Sequence, residues 1–208
     1  MNAPMIGQSD YFQAQVTYTQ GATRYLMQTT QPNWGFVSGQ SMSFGVISDA
    51  VVGGALSGFG GASPFALTDL ELTTAWGVNA AYEHFWNPRW RTSLYGGYAQ
   101  VSYGDSANNM LCWASGNGTI VSGLPVATAG CDMNWNTWWV GTRTQWNVTK
   151  DFYMGVDVLY QKLEGASLVN GLTTSAITPS LGTSTPTLLD SNQQNLSVRF
   201  RVHRDFYP

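Results

Sequence analysis

The sequence predicts an all-β fold, an antiparallel transmembrane β-barrel, and three observations predict it. The C-terminal run from Leu196 puts Leu196, Val198, Phe200 and Val202 on one face of an extended strand, with Ser197, Arg199, Arg201 and His203 on the other. Soluble sheets also alternate, but a purely apolar row set against a polar, charged one near the chain end suits lipid on one side and water on the other, with Phe206 as an interfacial aromatic. Second, nine Lys plus Arg and twelve Asp plus Glu in 208 residues fall well below the roughly 25% charged share of soluble domains, yet no run of about 20 apolar residues exists to make a transmembrane helix. Third, nine Trp, ten Tyr and nine Phe accompany a slightly polar mean hydropathy. That mixture is odd for a soluble core and ordinary for a barrel whose rings gird both interfaces.

The strands follow in order. Tyr11 to Gln20 is the first, with Phe12, Ala14, Val16 and Tyr18 outward. Gly21 to Gln40 is too long for a tight turn, so a further strand is expected around Arg24 to Thr29, and Met42 to Val52 is the next. Gly53 to Gly61 is glycine-rich but lacks the Lys-Ser/Thr of a phosphate-cradling loop, and it reads as part of a long loop near 53–70. Asp69 to Trp86 turns Leu72, Thr74, Trp76, Val78, Ala80 and Tyr82 to one face and Asn79 and Glu83 to the other, and stops at the turn signal Asn87-Pro88. Trp90 to Tyr103 returns. Both of its faces are aromatic-rich, so the pattern leaves its register open; the expected lipid row is Tyr95, Gly97, Ala99, Val101 and Tyr103.

A long loop near 104–133 holds both cysteines. Its Gly, Ser, Thr and Asn content suits a Cys112–Cys131 disulfide in an oxidising compartment, the alternative being two buried free thiols. Trp135 to Trp146 resumes the alternation, with Trp138, Val140, Thr142, Thr144 and Trp146 toward lipid and Arg143 and Gln145 opposite. After a turn at Asn147 to Asp151, Phe152 to Glu164 carries Phe152, Met154, Val156, Val158 and Tyr160 against Asp157 and Gln161. A third long loop near 165–191 precedes the last strand. The sum is one barrel domain over 1–208 with about seven or eight strands, whose short turns would be periplasmic and long loops extracellular in a bacterial outer membrane. Met1-Asn2-Ala3-Pro4 leads into the first strand without a signal-peptide pattern, so a removed signal or a longer parent polypeptide is expected.

Such a pore needs little chemistry, because width and lining charge set what passes. The candidate pore-lining residues are Arg143, Arg199, Arg201 and His203, which add positive potential, and Glu83 and Asp157, which subtract from it. Each arginine has a competing role as partner to a carboxylate on a neighbouring strand, holding the wall without touching a permeating ion. No catalytic residues are expected: with only His84 and His203 available, an enzyme would need one of them beside a carboxylate or serine. No metal site and no cofactor are expected, since neither histidine has a Cys or His at ligand spacing. A net charge of -3 without a basic cluster argues against a nucleic-acid partner. Triplets at Asn117, Asn147 and Asn195 match the glycosylation pattern, which is short enough to arise by chance.

Asp69 to Ser93, Trp138 to Tyr160 and Ser197 to Pro208 together resemble the porins of alphaproteobacterial, rhizobium-type outer membranes, over most of the chain. The resemblance implies a trimeric barrel of about sixteen strands, with a loop folded inside it, that passively admits small hydrophilic solutes and ions. This chain looks like the C-terminal half of such a protein, and the family's constriction loop has no evident counterpart in it. Its implied partners are outer-membrane lipid, the permeating solutes and, at full length, two further copies. The alternative is a small structural barrel with adhesive loops and no large pore.

Overall fold

The computed structural model describes residues 7, 9–27, 33–38, 41–52, 69–169, 188–189 and 192–206. Along the chain lie β1 (Tyr11–Gln20), a 3-10 turn (Thr23–Tyr25), β2 (Asn33–Ser38), β3 (Ser41–Val46), β4 (Ala50–Val51), β5 (Glu71–Leu72), β6 (Thr74–Asn87) and β7 (Trp90–Ser102). Then come α1 (Asp105–Ala114), β8 (Gly118–Val121), β9 (Leu124–Ala127), β10 (Trp135–Thr149), β11 (Phe152–Glu164), β12 (Leu188–Leu189) and β13 (Asn192–Arg204). Six of these strands form one sheet in the order β1-β6-β7-β10-β11-β13, each antiparallel to the next. It is an open up-and-down meander: among the described residues, β1 and β13 are edges, and the sheet does not close on itself.

Two turns, at Pro88–Arg89 and Lys150–Asp151, join strands at one end, and the C-terminal end of β13 reaches the same end through the Phe152–Arg204 pair. The connections 21–73, 103–134 and 165–191 all leave the opposite end. Short turns therefore join the described strands at one end of the sheet, and the long connections start and finish at the other.

Odd-numbered residues share one face across all six strands. Tyr11, Glu83, Ser93, Arg143, Asp157 and Arg199 make a single cross-strand row. The even-numbered residues, which include Val16, Val78, Val140, Val158 and Val198, take the other face. The expected outward rows of β1, β6, β10, β11 and β13 all fall on that even face. The expected row of β7 does not: Tyr95, Gly97, Ala99 and Val101 lie with Glu83, and Leu94, Gly96 and Tyr98 lie with Val78.

The cause is a bulge. A tight hairpin with Asn87 opposite Trp90 would place Glu83 opposite Leu94, but the register shifts between Phe85 and Asn87, so that Glu83 meets Ser93. One extra residue in a strand moves every later side chain of its partner to the other face. The β10–β11 hairpin carries the same kind of shift between Asn147 and Thr149.

Other expectations change outside the sheet. Arg24 and Tyr25 lie in the 3-10 turn and not in a strand, because Asp49 Oδ1 accepts from the backbone N–H (2.8 Å) and hydroxyl (2.7 Å) of Thr23 and winds the chain there; these bonds, the hydroxyl's first, hold the Asp49 carboxyl below the usual range. Gln28 and Thr29 lie outside the described residues, as do Gly53 to Gly61, most of the loop near 53–70 and residues 170–187. Met42 to Val52 is split between β3, which pairs with β2 and β12, and β4, which pairs with β5; none of these joins the large sheet. The described sheet thus has six strands where about seven or eight are expected from the alternating pattern. Residues 104–133 are not plain loop: they contain α1 and the β8–β9 hairpin, and Cys112 and Cys131 are bonded, with their Cα atoms 6.1 Å apart.

The buried core sits on the odd face at the long-connection end. Ala75, Ala99, Val101, Trp135 and Leu163 supply the sheet side, and Met42 and Phe44 of β3, Ala107 and Cys112 of α1, and Met133 cover them. Backbone anchors hold β3 there. The Trp135 indole N–H and the Tyr103 hydroxyl both donate to the Val46 carbonyl at 2.7 Å, and Ala166 N–H donates to Phe44 O at 2.7 Å. Burial pushes the Tyr103 phenol up. A Cβ at Gly45 would lie 2.1 Å from the Trp135 ring, so only glycine lets β3 lie flush on it.

Candidate pore wall

The even face is apolar and open. Val16 on one edge strand is 78% exposed and Val198 and Phe200 on the other 68% and 66%, and Val78, Leu94, Val140 and Val156 are exposed between them, a spread of apolar surface that a soluble protein avoids. Aromatic rows border it on both sides. Toward the long connections, Tyr18 pairs with Trp76, whose ring lies 5.1 Å from Tyr98; Tyr98 pairs with Trp138, whose ring lies 5.3 Å from Tyr160. Toward the short turns, Trp90 stacks on Trp146 at 5.5 Å, and Trp86 meets the His84 ring edge-on at 4.3 Å. On β10, Trp138 and Trp146 are eight residues apart. At ~3.4 Å per residue and a tilt of ~40°, that spacing spans ~21 Å, close to the ~25 Å apolar band of an outer-membrane barrel.

The odd face is polar along the middle and short-turn end of the same strands. Glu83 is its best-held group. It is 4% exposed; the hydroxyls of Tyr11 and Ser93 donate to it, and Arg91 Nε and Arg143 lie 3.4 Å and 3.9 Å from its Oε1. The backbone explains the meeting, because Tyr11, Glu83, Ser93 and Arg143 are register partners on four neighbouring strands, and Arg91 stands one step along the same face. Asp157 is opposite Arg143 and accepts from the Tyr95 hydroxyl at 2.5 Å. Gly97 leaves the room that the Trp139 ring fills beside Asn79. Of the sequence-predicted site residues, Glu83, Arg143 and Asp157 therefore meet within the wall. Arg199, Arg201 and His203 stand exposed on edge strand β13, where His203 stacks on Tyr153 at 4.9 Å and its Nε2 lies 2.8 Å from Asp205. Arg199 is the cross-strand neighbour of Asp157, and Arg201 that of Gly155.

Three participants escape the sequence reading. Arg91, Ser93 and Tyr95 all lie on β7, whose face cannot be assigned without the bulge. A paired Asn87 Oδ1, accepting from the N–H groups of Arg89 (2.9 Å) and Trp90 (3.0 Å), marks the turn, but it does not reveal the shift behind it. The Asp10 cluster is also unread. Asp10 is 1% exposed; it accepts from the Tyr82 hydroxyl (2.5 Å) and Phe85 N–H (3.0 Å) and lies 2.8 Å from His84 Nδ1. These bonds, Tyr82's first, hold its carboxyl down to about 2 and fasten the start of β1 to the end of β6. The signal for that contact is nonlocal, 72 to 75 residues along the chain.

No group of three or more His, Cys, Asp or Glu side chains suited to a metal occurs among the described residues. No helix among them is long and apolar enough to cross a membrane, which leaves strand-based crossing untouched. Nothing among curated proteins or solved structures matches the chain. A family model described as the porin subfamily matches residues 1–185, which includes β1 through β11. β13 lies beyond that match and is placed with the rest by its thirteen-residue ladder on β11. An antiparallel meander, apolar on one face and polar on the other, thus carries a family match over most of its length: the chain belongs to the porin family.

Proposed function

We propose that the six-stranded sheet is a wall of a water-filled passive pore in a bacterial outer membrane, with its even face against lipid and its odd face lining the passage for small hydrophilic solutes and ions. One observation carries the reading: along the middle and short-turn end of six paired strands a single parity separates apolar from polar side chains, with aromatic rows bordering the apolar side. Short turns face the periplasm and the three long connections face outward. Six strands are fewer than the eight of the smallest such barrels. Among the described residues edges β1 and β13 carry no further partner, and in this reading they are where the additional strands would pair that the resemblance to rhizobium-type porins implies for a larger, homotrimeric polypeptide. Arg143, Arg199, Arg201, His203, Glu83 and Asp157 line the passage, and Glu83 is largely neutralised by its neighbours. No step in this function needs a catalyst, and the porin family is one of channels.

The core at the long-connection end favours a second reading, a barrel too filled to conduct well, since β3 and α1 cover the odd face there. Single-channel recording on the purified protein in planar bilayers separates the two. Discrete ohmic steps well above the lipid baseline are expected. Their absence from a preparation with intact β-sheet circular dichroism would favour the filled barrel.

A further inference from the structure

At the short-turn end the odd face opens into a cleft of about 480 Å³ between the β6–β7 and β10–β11 turns. Its described lining carries three cations, Arg89, Arg91 and Lys150, and no carboxylate; Asn147, Gln145 and Tyr153 supply polar groups beside them. The frame is fixed by backbone bonds. Asn147 N–H donates to Arg89 O at 2.7 Å, tying the two turns together, and Asp205 N–H donates to Asp151 O at 2.9 Å, tying in the end of β13. The Gln145 amide is held by Asn147 Oδ1 at 2.8 Å.

Arg91 gives the cleft its direction. Its buried Nε lies 3.4 Å from Glu83 Oε1, so Glu83 holds the inner edge of the guanidinium while the side chain, 29% exposed, lines the cleft. Lys150 is 89% exposed and, among the described residues, lies 3.9 Å from Asp151. On the next strands the positive strip continues: Arg91 is opposite Gln145, Gln145 opposite Gly155, and Gly155 opposite Arg201. Because Gly155 has no side chain, a notch separates Gln145 from Arg201.

We infer that this cleft is an anion-binding subsite for a phosphate-bearing solute at the short-turn mouth of the pore. Guanidinium and amide donors beside one another match the oxygens of a phosphate, and the planar fork of a guanidinium is the side chain best shaped to hold one. The volume exceeds that of a phosphate ion, so a phosphate carrying a small organic group fits. The cleft lies on the polar face, with the sheet between it and the apolar band, which favours a dissolved anion over a lipid headgroup. The inference rests on the pore reading for how the ligand arrives, but its binding is measurable without conduction.

The test is titration calorimetry of the purified full chain in nonionic detergent with inorganic phosphate, beside single-channel recordings of the same preparation. Saturable binding is expected, weakened at least about tenfold in Arg89→Ala/Lys150→Ala, the factor that one charge-assisted hydrogen bond supports, and unchanged in Arg24→Ala. The double substitution leaves Arg91 and its Glu83 contact in place, so folding is preserved. An absent isotherm, or one indifferent to the double substitution, overturns the subsite. So does binding seen only when phosphatidylglycerol is added to the micelles, which would make the occupant a lipid headgroup. Channels that conduct without binding phosphate remove the subsite and leave the pore; binding by a chain that never conducts removes the pore and leaves the subsite.

Discussion

Glu83→Gln is the substitution that most sharply separates a charge built into the wall from a charge that merely lines it. The change keeps the shape of the side chain, but the Tyr11 and Ser93 hydroxyls donate to different carboxylate oxygens, so the single amide carbonyl retains one of these bonds and the amide NH2 must donate to the other hydroxyl. What it removes is the counter-ion of Arg91 at 3.4 Å and Arg143 at 3.9 Å. At an effective dielectric of about 20, each contact has a Coulomb energy of about 4–5 kcal/mol. Most of that is offset, because the arginines are about a third exposed and screened, and because Glu83 itself is desolvated on folding. A net loss of about 2–3 kcal/mol remains, against less than about 1 kcal/mol for Arg199→Gln on the exposed edge strand. Urea unfolding followed by tryptophan fluorescence in lipid-detergent micelles measures the two side by side. Reversal potentials across a salt gradient should also move toward anions in Glu83→Gln, since two arginines lose their counter-charge. If the two variants unfold at the same urea concentration, the cross-strand row is not a structural element and the reasoning from register fails.

Further outcomes follow from other parts of the fold. Gly45→Ala should cost about 1–3 kcal/mol by overpacking against Trp135 and should release β3 from the polar face, raising single-channel conductance. Reducing the Cys112–Cys131 bond, which closes a separation of 19 residues, should cost up to about 3 kcal/mol locally while leaving β-sheet circular dichroism at room temperature unchanged. The Asp10 anchor has a depressed carboxyl, so its stabilisation is fully present above the ordinary carboxylate range near pH 4 and is lost as pH falls through about 2. Protection factors at Tyr11 and Phe85, in which the intrinsic pH dependence of amide exchange is divided out, should therefore hold at pH 4 and fall toward pH 2, and Asp10→Asn should remove that fall.

The even-odd separation was legible wherever one face of a strand was uniformly apolar. Phe152 to Tyr160 and Leu196 to Val202 are read correctly from alternation alone, since a strand's period of two needs no knowledge of its neighbours. Strand β7 was not legible, because aromatics occupy both faces and the deciding event is a bulge in its partner. Helix α1 escapes for a different reason. Its N-cap is Gly104, with no side-chain cap, and Asn108 and Asn109 are weak helix formers. Those two asparagines instead accept from the N–H groups of Met133 (2.7 Å) and Ala127 (2.9 Å), contacts that only the folded segment creates. The charged residues of the wall were visible as types, and their partnerships were not: Glu83 meets Arg91 and Arg143 only after three strands have paired.

The central claim, that one face of this sheet meets lipid and the other water, is tested most directly by spin labels placed singly at residues 153–161 of β11 in the protein reconstituted into liposomes. Relaxation by oxygen, which concentrates in lipid, should peak at 154, 156, 158 and 160, and relaxation by a water-soluble nickel chelate should peak at 153, 155, 157, 159 and 161. Equal relaxation by the chelate at both sets would contradict it and would place the sheet in water on both sides.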